Sequence, residues 1–234
     1  MNIKSAAYQG YPFRQPSVRT GTVADRNDIY PHLKRAADIL LSLLLLLLFS
    51  PLMLLLLVVI RIETGENPLF IQERGLTLEK FRFRIYKLRT LRTVRSGGDN
   101  AAANIFLKSG LSDRITFTGG LLRKTGLDEL PQLINVLKGE MSFIGPRPFS
   151  LEDLELMKEQ SPAYYATRNS ITSKPGISGY WQIFGDRSKG MVNLMEMEMK
   201  YEQEKSAGLD LFLSALTVPV VLFAKHMDAI TINN

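Results

Sequence analysis

The longest uninterrupted apolar stretch in the chain runs from Ile39 to Ile60, ILLSLLLLLLFSPLMLLLLVVI, 22 residues without a charge. As a helix rising 1.5 Å per residue it would be about 33 Å long, enough to cross a hydrocarbon core of about 30 Å. Its centre carries Ser50-Pro51, where the proline removes a backbone donor and clashes with the carbonyl near Leu47. A bend is expected there, with the Ser50 hydroxyl satisfying a carbonyl that lipid cannot. Lys34 and Arg35 precede the run, and Arg61, Arg74, Lys80, Arg82 and Arg84 follow it, so both flanks read as cytoplasmic. The pattern predicts a helix broken at Ser50-Pro51 that dips into the membrane and returns to the same face. A kinked single span is the alternative. A signal peptide does not fit, because residues 1–30 precede the run and no small-residue cleavage pattern follows.

Beyond the apolar block the periodicities are shorter. Residues 1–30 hold few periodic apolar positions and predict a mobile cytoplasmic tail. Pro68 to Gln72 and Lys80 to Tyr86 alternate as a strand pair does, with Gly75 in the turn; Phe81, Phe83 and Ile85 would share one face, opposite Arg82 and Arg84. Residues 96–112 predict a variable loop around a short helix. Leu130, Leu133, Ile134 and Leu137 recur at helical spacing, which predicts a helix from Asp128 to Leu137 with Asp128 and Glu129 in its first turn. Residues 151–169 and 191–206 read as polar or amphipathic helices, and Leu209 to Phe223 as an interfacial or core helix too short to span comfortably.

The expected fold is therefore α+β and mainly helical. A flexible tail (1–33) leads into a re-entrant membrane hairpin (34–62), then a cytoplasmic catalytic domain (63–234) with a small β-hairpin and interfacial amphipathic helices. At 234 residues, two large independent domains are not expected.

Composition narrows the chemistry. The absence of cysteine removes disulfides, thiolate nucleophiles and cysteine-ligated metals. The two histidines, His32 and His226, lie far apart and read as surface or interfacial residues rather than a metal site or general base. A net charge of +6 implies an anionic partner, and seven of the basic residues fall between Lys80 and Arg95 with no acidic residue among them. That stretch is either a solvated face or, so near the membrane run, a surface for headgroups or substrate phosphates.

The candidate chemistry lies in LLRKTGLDELPQLINVLKGEMSFIGPRP, Leu121 to Pro148. Adjacent Asp128 and Glu129 are preceded by Arg123-Lys124 and followed by the Gly145-Pro146-Arg147-Pro148 turn. By itself an Asp-Glu pair at a helix start is most often a capping feature. Cations gathered around it would also let a carboxylate approach a diphosphate, and arginine's planar fork suits phosphate oxygens.

This block closely resembles the bacterial sugar transferase family, the monotopic phosphoglycosyl transferases. The likeness extends from Lys34 to the C-terminus through Lys34-Arg35, Ser50-Pro51, Phe70 to Gly75, Tyr86 to Thr90, Asp113 to Thr116, and Lys174 to Gln182. The resemblance implies transfer of a sugar 1-phosphate from a UDP-sugar to polyprenyl phosphate through a covalent aspartyl intermediate, with Mg2+ required. It makes Asp128 the nucleophile and Glu129 its partner in metal placement or proton handling. Arg123 and Arg147 would hold phosphate oxygens, Lys87 and Arg89 would guide the acceptor headgroup, and Arg187 would contribute to the nucleotide or lipid side. Trp181 reads equally well as a buried core residue.

The resemblance further implies the cytoplasmic face of a bacterial inner membrane, with membrane lipid as a partner and a homo-oligomer and downstream glycosyltransferases as candidate partners. Gly126, Glu198 and the segment Phe184-Gly185-Asp186-Arg187 depart from the common pattern, as does the end of the chain, which lacks a basic Arg-Gly pair. The competing reading is a non-catalytic basic membrane adaptor of a polysaccharide-assembly complex. Nucleic acid is not an expected partner, since no basic-aromatic recognition motif is present.

Overall fold

The computed structural model describes residues 29–93, 114–186 and 189–222, with side chains in the last stretch described as far as Thr217. The tail before Ile29, the loop expected within 96–112, Arg187 and His226 lie outside the described residues.

The apolar run becomes α1, Ile29–Thr64, a 36-residue helix with Pro51 inside it. It starts earlier than the hairpin expected from residue 34, and the helical assignment is not interrupted at the proline. The reason is local: Pro51 cannot donate to Leu47, and Ser50 Oγ donates to that carbonyl instead at 2.9 Å. Between its ends α1 is an apolar rod with Leu40, Leu44, Leu47 and Leu54 exposed; Leu47 is 76% exposed. Such a contiguous surface is what lipid covers. Burial is confined to the two ends, at Asp38, Ser42 and Ile60, and both ends rest on the same body.

That body begins with β1 (Leu69–Gly75) and β2 (Phe83–Leu88), antiparallel with Leu69 opposite Leu88 and Arg74 opposite Phe83. The hairpin forms as expected, but Gly75, expected in the turn, ends β1 opposite Phe149, and β2 starts later than Lys80. Phe81 has φ 51°, outside strand geometry, and only from Phe83 does alternation hold. Phe83 and Ile85 are buried while Arg84 is exposed. A third strand, β4 (Phe149–Ser150), joins the free edge of β1, giving the order β2-β1-β4. A second sheet of two short parallel strands pairs β3 (Ser142–Ile144) with β5 (Gly176–Ser178).

The helices are α2 (Phe117–Thr125), α3 (Gln132–Lys138), α4 (Leu151–Gln160), α5 (Pro162–Ser170), α6 (Tyr180–Phe184), α7 (Gly190–Glu204) and α8 (Ala207–Leu222). The polar helical stretch 151–169 divides at Ser161-Pro162, because a proline is tolerated in a helix's first turn and not in its interior. The largest buried cluster gathers Phe149, Leu154, Met157, Tyr165, Trp181, Met191, Leu194 and Met195 from β4, α4, α5, α6 and α7. Trp181, 4% exposed, belongs to it.

Asn135 joins α3 to the sheet in the way a neighbouring strand would. Its fully buried amide accepts from Tyr86 N at 3.2 Å and donates to Arg84 O at 2.7 Å, and Nδ2 also reaches Glu140 Oε2 at 2.7 Å. The side chain thus satisfies the edge of β2 that no strand covers. Asn135→Ala should cost about 2–3 kcal/mol in equilibrium unfolding, since it removes three bonds and strands buried backbone groups. A loss below about 0.5 kcal/mol would show that the edge does not depend on this amide.

Candidate functional site

The expected helix from Asp128 to Leu137 is two elements. Leu127–Glu129 form a single 3-10 turn, and α3 begins only at Gln132, with Pro131 at its N-cap. Pro131 has no N–H to return to Leu127, so Leu130 N donates to Leu127 O at 3.2 Å and the tighter turn results. Gly126, φ 71°, ends α2 and opens this turn. A left-handed residue is needed there, which accounts for glycine at one of the positions that depart from the family pattern.

Three residues per turn send the three side chains in three directions. Leu127 packs with Ile60, Leu88 and Leu122. Glu129 is 8% exposed and accepts from Lys87 Nζ at 2.5 Å. Asp128 takes the third direction and is half-buried. Lys87 comes from β2, two residues beyond Ile85 on the inward-pointing side of the strand. The hairpin alternation that buries Phe83 and Ile85 therefore also aims this ammonium at Glu129.

The other candidates are positioned by contacts of their own. Arg123 is half-buried in the last turn of α2, five residues before Asp128. Arg89 is held by Glu66 at 3.0 Å and donates to Asn67 O at 2.6 Å, at the end of β1's lead-in. Arg147 lies between β3 and β4, and its backbone N donates to Glu198 Oε1 at 2.9 Å. Lys87 and Glu129 are thus joined directly.

Close backbone approach shapes the Gly145–Pro148 turn. A side chain on Gly145 would collide with Lys174 O, and one on Gly176 or Gly179 would collide with Gly145 itself. These glycines let the 145–148 turn lie against the 174–179 segment, where Gly145 N donates to Ser178 O and Gly176 N to Pro146 O, both at 2.9 Å.

Beneath it lies a fully buried ion pair that the sequence reading did not name as a site. Arg168 on α5 donates to Glu198 Oε2 on α7 at 2.5 Å, with side chains 0% and 1% exposed. Burial pushes the Glu198 carboxyl up and the Arg168 guanidinium down, and each charge opposes the shift of the other. Gln132 was also missed; it is 2% exposed, and its Nε2 lacks a partner among the described residues.

The first turns of α1 grip the same segment. Arg35 donates to Val136 O at 2.5 Å and Leu137 O at 2.8 Å, capping the C-terminus of α3. Asp38 Oδ1 accepts from Phe143 N at 3.0 Å, and Lys34 Nζ reaches Ile144 O at 3.0 Å and Asp210 at 2.7 Å. The backbone between the dyad and Arg147 is therefore tied to the start of α1.

Among the described residues no group of three or more acidic or histidine side chains is placed to hold a metal. Mg2+ needs no such cage, since it keeps waters and commonly uses one or two carboxylates with substrate phosphates. Asp128 and Glu129 supply two carboxylates from one turn, one half-exposed and the other buried with Lys87 on one of its oxygens.

The sequence profile of the bacterial sugar transferase family matches residues 29–224. Among similar proteins, a sugar transferase of Bacillus subtilis called EpsL, itself uncharacterised, is 35% identical over 84% of this chain and 90% of its own length. The exopolysaccharide production protein ExoY of Sinorhizobium fredii is 32% identical over 82% of this chain and 86% of its own. The UDP-glucose:undecaprenyl-phosphate glucose-1-phosphate transferase of Caulobacter vibrioides is 38% identical over 81% of this chain and 69% of its own.

Proposed function

Because this chain belongs to the bacterial sugar transferase family, and is accordingly a phosphoglycosyl transferase, we propose that it moves a sugar 1-phosphate from a UDP-sugar to polyprenyl phosphate by way of Asp128. The observation that carries the proposal is the Leu127–Glu129 turn, which fixes two adjacent carboxylates, seats Leu127 in the core, ties Glu129 to Lys87 and leaves Asp128 half-exposed.

In the first step an Asp128 carboxylate oxygen attacks the sugar-bearing phosphorus, the bond to the UMP oxygen breaks, and UMP leaves with that electron pair. In the second, an oxygen of polyprenyl phosphate attacks the aspartyl-linked phosphorus and the carboxylate is regenerated. Two easier displacements replace one direct attack of phosphate on diphosphate. Asp128 and Glu129 would hold Mg2+ together with the diphosphate, and the ion would screen the negative charges that meet there. Arg123 and Arg147 bind phosphate oxygens, and the Lys87 ammonium holds Glu129 in place. Arg89, tied to Glu66, contributes to the positive field seen by the acceptor rather than a direct bond in this arrangement.

The acceptor lipid cannot leave the bilayer, so the site gains effective concentration by sitting at its surface. Support for that placement comes from several exposed apolar side chains outside α1. Phe117 (92% exposed) and Leu121 lie on α2, Leu211 and Phe212 lie on α8, and the two helices are neighbours. We place the enzyme at the cytoplasmic face of a bacterial inner membrane, where it initiates exopolysaccharide or glycoconjugate synthesis. A re-entrant path for α1 is supported by its two ends gripping one body, at Asp38 and at Ile60. Pro51→Ala restores the missing donor and should favour a straight span. Labelling of introduced cysteines before and after α1 should then move from one side of the membrane to both, and unchanged same-side labelling would count against the role of Pro51.

The decisive experiment is a donor screen with purified protein, undecaprenyl phosphate and Mg2+, reading UMP release and the mass of the lipid product. Donor alone should also leave a phosphosugar adduct on the peptide containing Asp128. If no donor yields UMP, the adaptor reading takes its place.

A further inference from the structure

Both polar atoms of the Arg147 backbone end on the buried ion pair. Arg147 N donates to Glu198 Oε1 at 2.9 Å, and Arg147 O accepts from Arg168 Nη2. The two charges are joined to each other through Glu198 Oε2 at 2.5 Å. Arg168 is itself fixed from two further sides: its Nε donates to Leu76 O at 2.6 Å, and its guanidinium carbon lies 4.7 Å from the centre of the Phe149 ring. On either side of Arg147, Pro146 O accepts from Gly176 N at 2.9 Å and Pro148 O from Arg74 at 3.2 Å. The prolines restrict their own φ, and Pro148 also restricts the residue before it.

A turn so short does not need two charges taken wholly out of water to be stable. Desolvating such a pair costs about as much as the attraction returns, and apolar replacements of similar volume are often as stable. The arrangement makes sense if what matters is the direction of the residue between them.

We propose that Arg168 and Glu198 are positioning residues that hold the Arg147 backbone in one conformation, so that its guanidinium is preorganised for the nucleotide diphosphate. This rests on the reading of Arg147 as a phosphate ligand and adds how the ligand is aimed. A preorganised fork loses less freedom on binding, so the effect belongs to donor affinity more than to the rate of phosphoryl transfer. Glu198 is the residue that does this on one side and Arg168 on the other, and neither touches substrate.

A double-mutant cycle with UDP as the probe in magnesium buffer tests it by calorimetry, with steady-state UDP-glucose kinetics alongside. Arg147→Ala should weaken UDP about tenfold or more, the size of a charge-assisted bond, and Glu198→Gln about three- to tenfold, the size of one ordinary hydrogen bond. Glu198→Gln should raise KM for UDP-glucose with little change in kcat. In the Arg147→Ala background Glu198→Gln should change UDP affinity less than about 1.5-fold, because it has nothing left to aim.

Since Glu198→Gln strands a buried cation and could lower the folded yield, the paired variant Arg168→Met/Glu198→Leu removes both charges together. It should stay folded and show the same loss of UDP affinity. Equal effects of Glu198→Gln with and without Arg147, wild-type UDP affinity in the paired variant, or no UDP binding by the wild-type protein would each overturn the proposal. UDP binding with the cycle intact but no UMP release from any donor would instead unseat the transferase reading and leave the positioning in place.

Discussion

Asp128→Asn is expected to lower UMP release by at least about 10³-fold while leaving membrane association and thermal unfolding close to wild type. The amide has the same shape but no charge, and its oxygen is a far weaker nucleophile toward phosphorus. The structure explains why folding should tolerate the change. The turn is held by Leu127 in the core, by Glu129 on Lys87, and by Gly126 and Pro131 at its ends. Asp128 is half-exposed, and asparagine keeps its size and its capacity to accept a hydrogen bond. Donor-treated variant should show no phosphosugar adduct by mass spectrometry. A near-normal rate would remove Asp128 from the covalent step, whatever became of the rest of the site.

Lys87→Met should be costly in two currencies at once. It leaves Glu129, with only 10% of its side chain exposed, as a buried carboxylate without its ammonium partner. Losing one member of a buried, hydrogen-bonded pair should destabilise the protein by about 2–4 kcal/mol. Turnover should fall about 10²-fold, because Glu129 loses the cation that fixes its carboxylate beside Asp128. Lys87→Met/Glu129→Gln separates the two effects: unfolding should return toward wild type, and turnover should not. Full recovery of activity in the double variant would show that the pair serves folding alone.

How much of this was legible beforehand differs from element to element for physical reasons. α1 announces itself by uninterrupted apolarity, and the β1–β2 hairpin by alternation that ends in a turn. The dyad's local structure was misjudged because apolar spacing at Leu130, Leu133, Ile134 and Leu137 continues across Pro131, while a hydrogen-bond ladder cannot. The absent N–H of Pro131 was the available signal. β3 and β5 have three residues each and pair across more than thirty residues of chain, so period-2 alternation has no length in which to show.

The candidate site divides along the same line. Asp128, Glu129, Arg147 and Lys87 could be singled out because their residue types and motif suggest phosphate chemistry. The contact between Lys87 and Glu129 could not, since it depends on how β2 docks against the 127–129 turn. Arg168 and Glu198 sit in polar helices where charged residues are ordinarily solvated, and only the packing of α5 against α7 takes them out of water. Asn135 was visible as part of a motif, and its work as a surrogate strand appears only once α3 is laid beside β2.

The grip of Lys34, Arg35 and Asp38 on residues 136–144 bears on how such an enzyme can be handled in practice. Trimming off everything before residue 63 to make a detergent-free catalytic fragment would discard these three side chains together with the greasy segment. Val136 and Leu137 would lose their cap, and Phe143 and Ile144 their tether. A graft that exchanges the exposed leucines of α1 for polar residues but spares its opening three turns is the better route to a water-soluble catalyst.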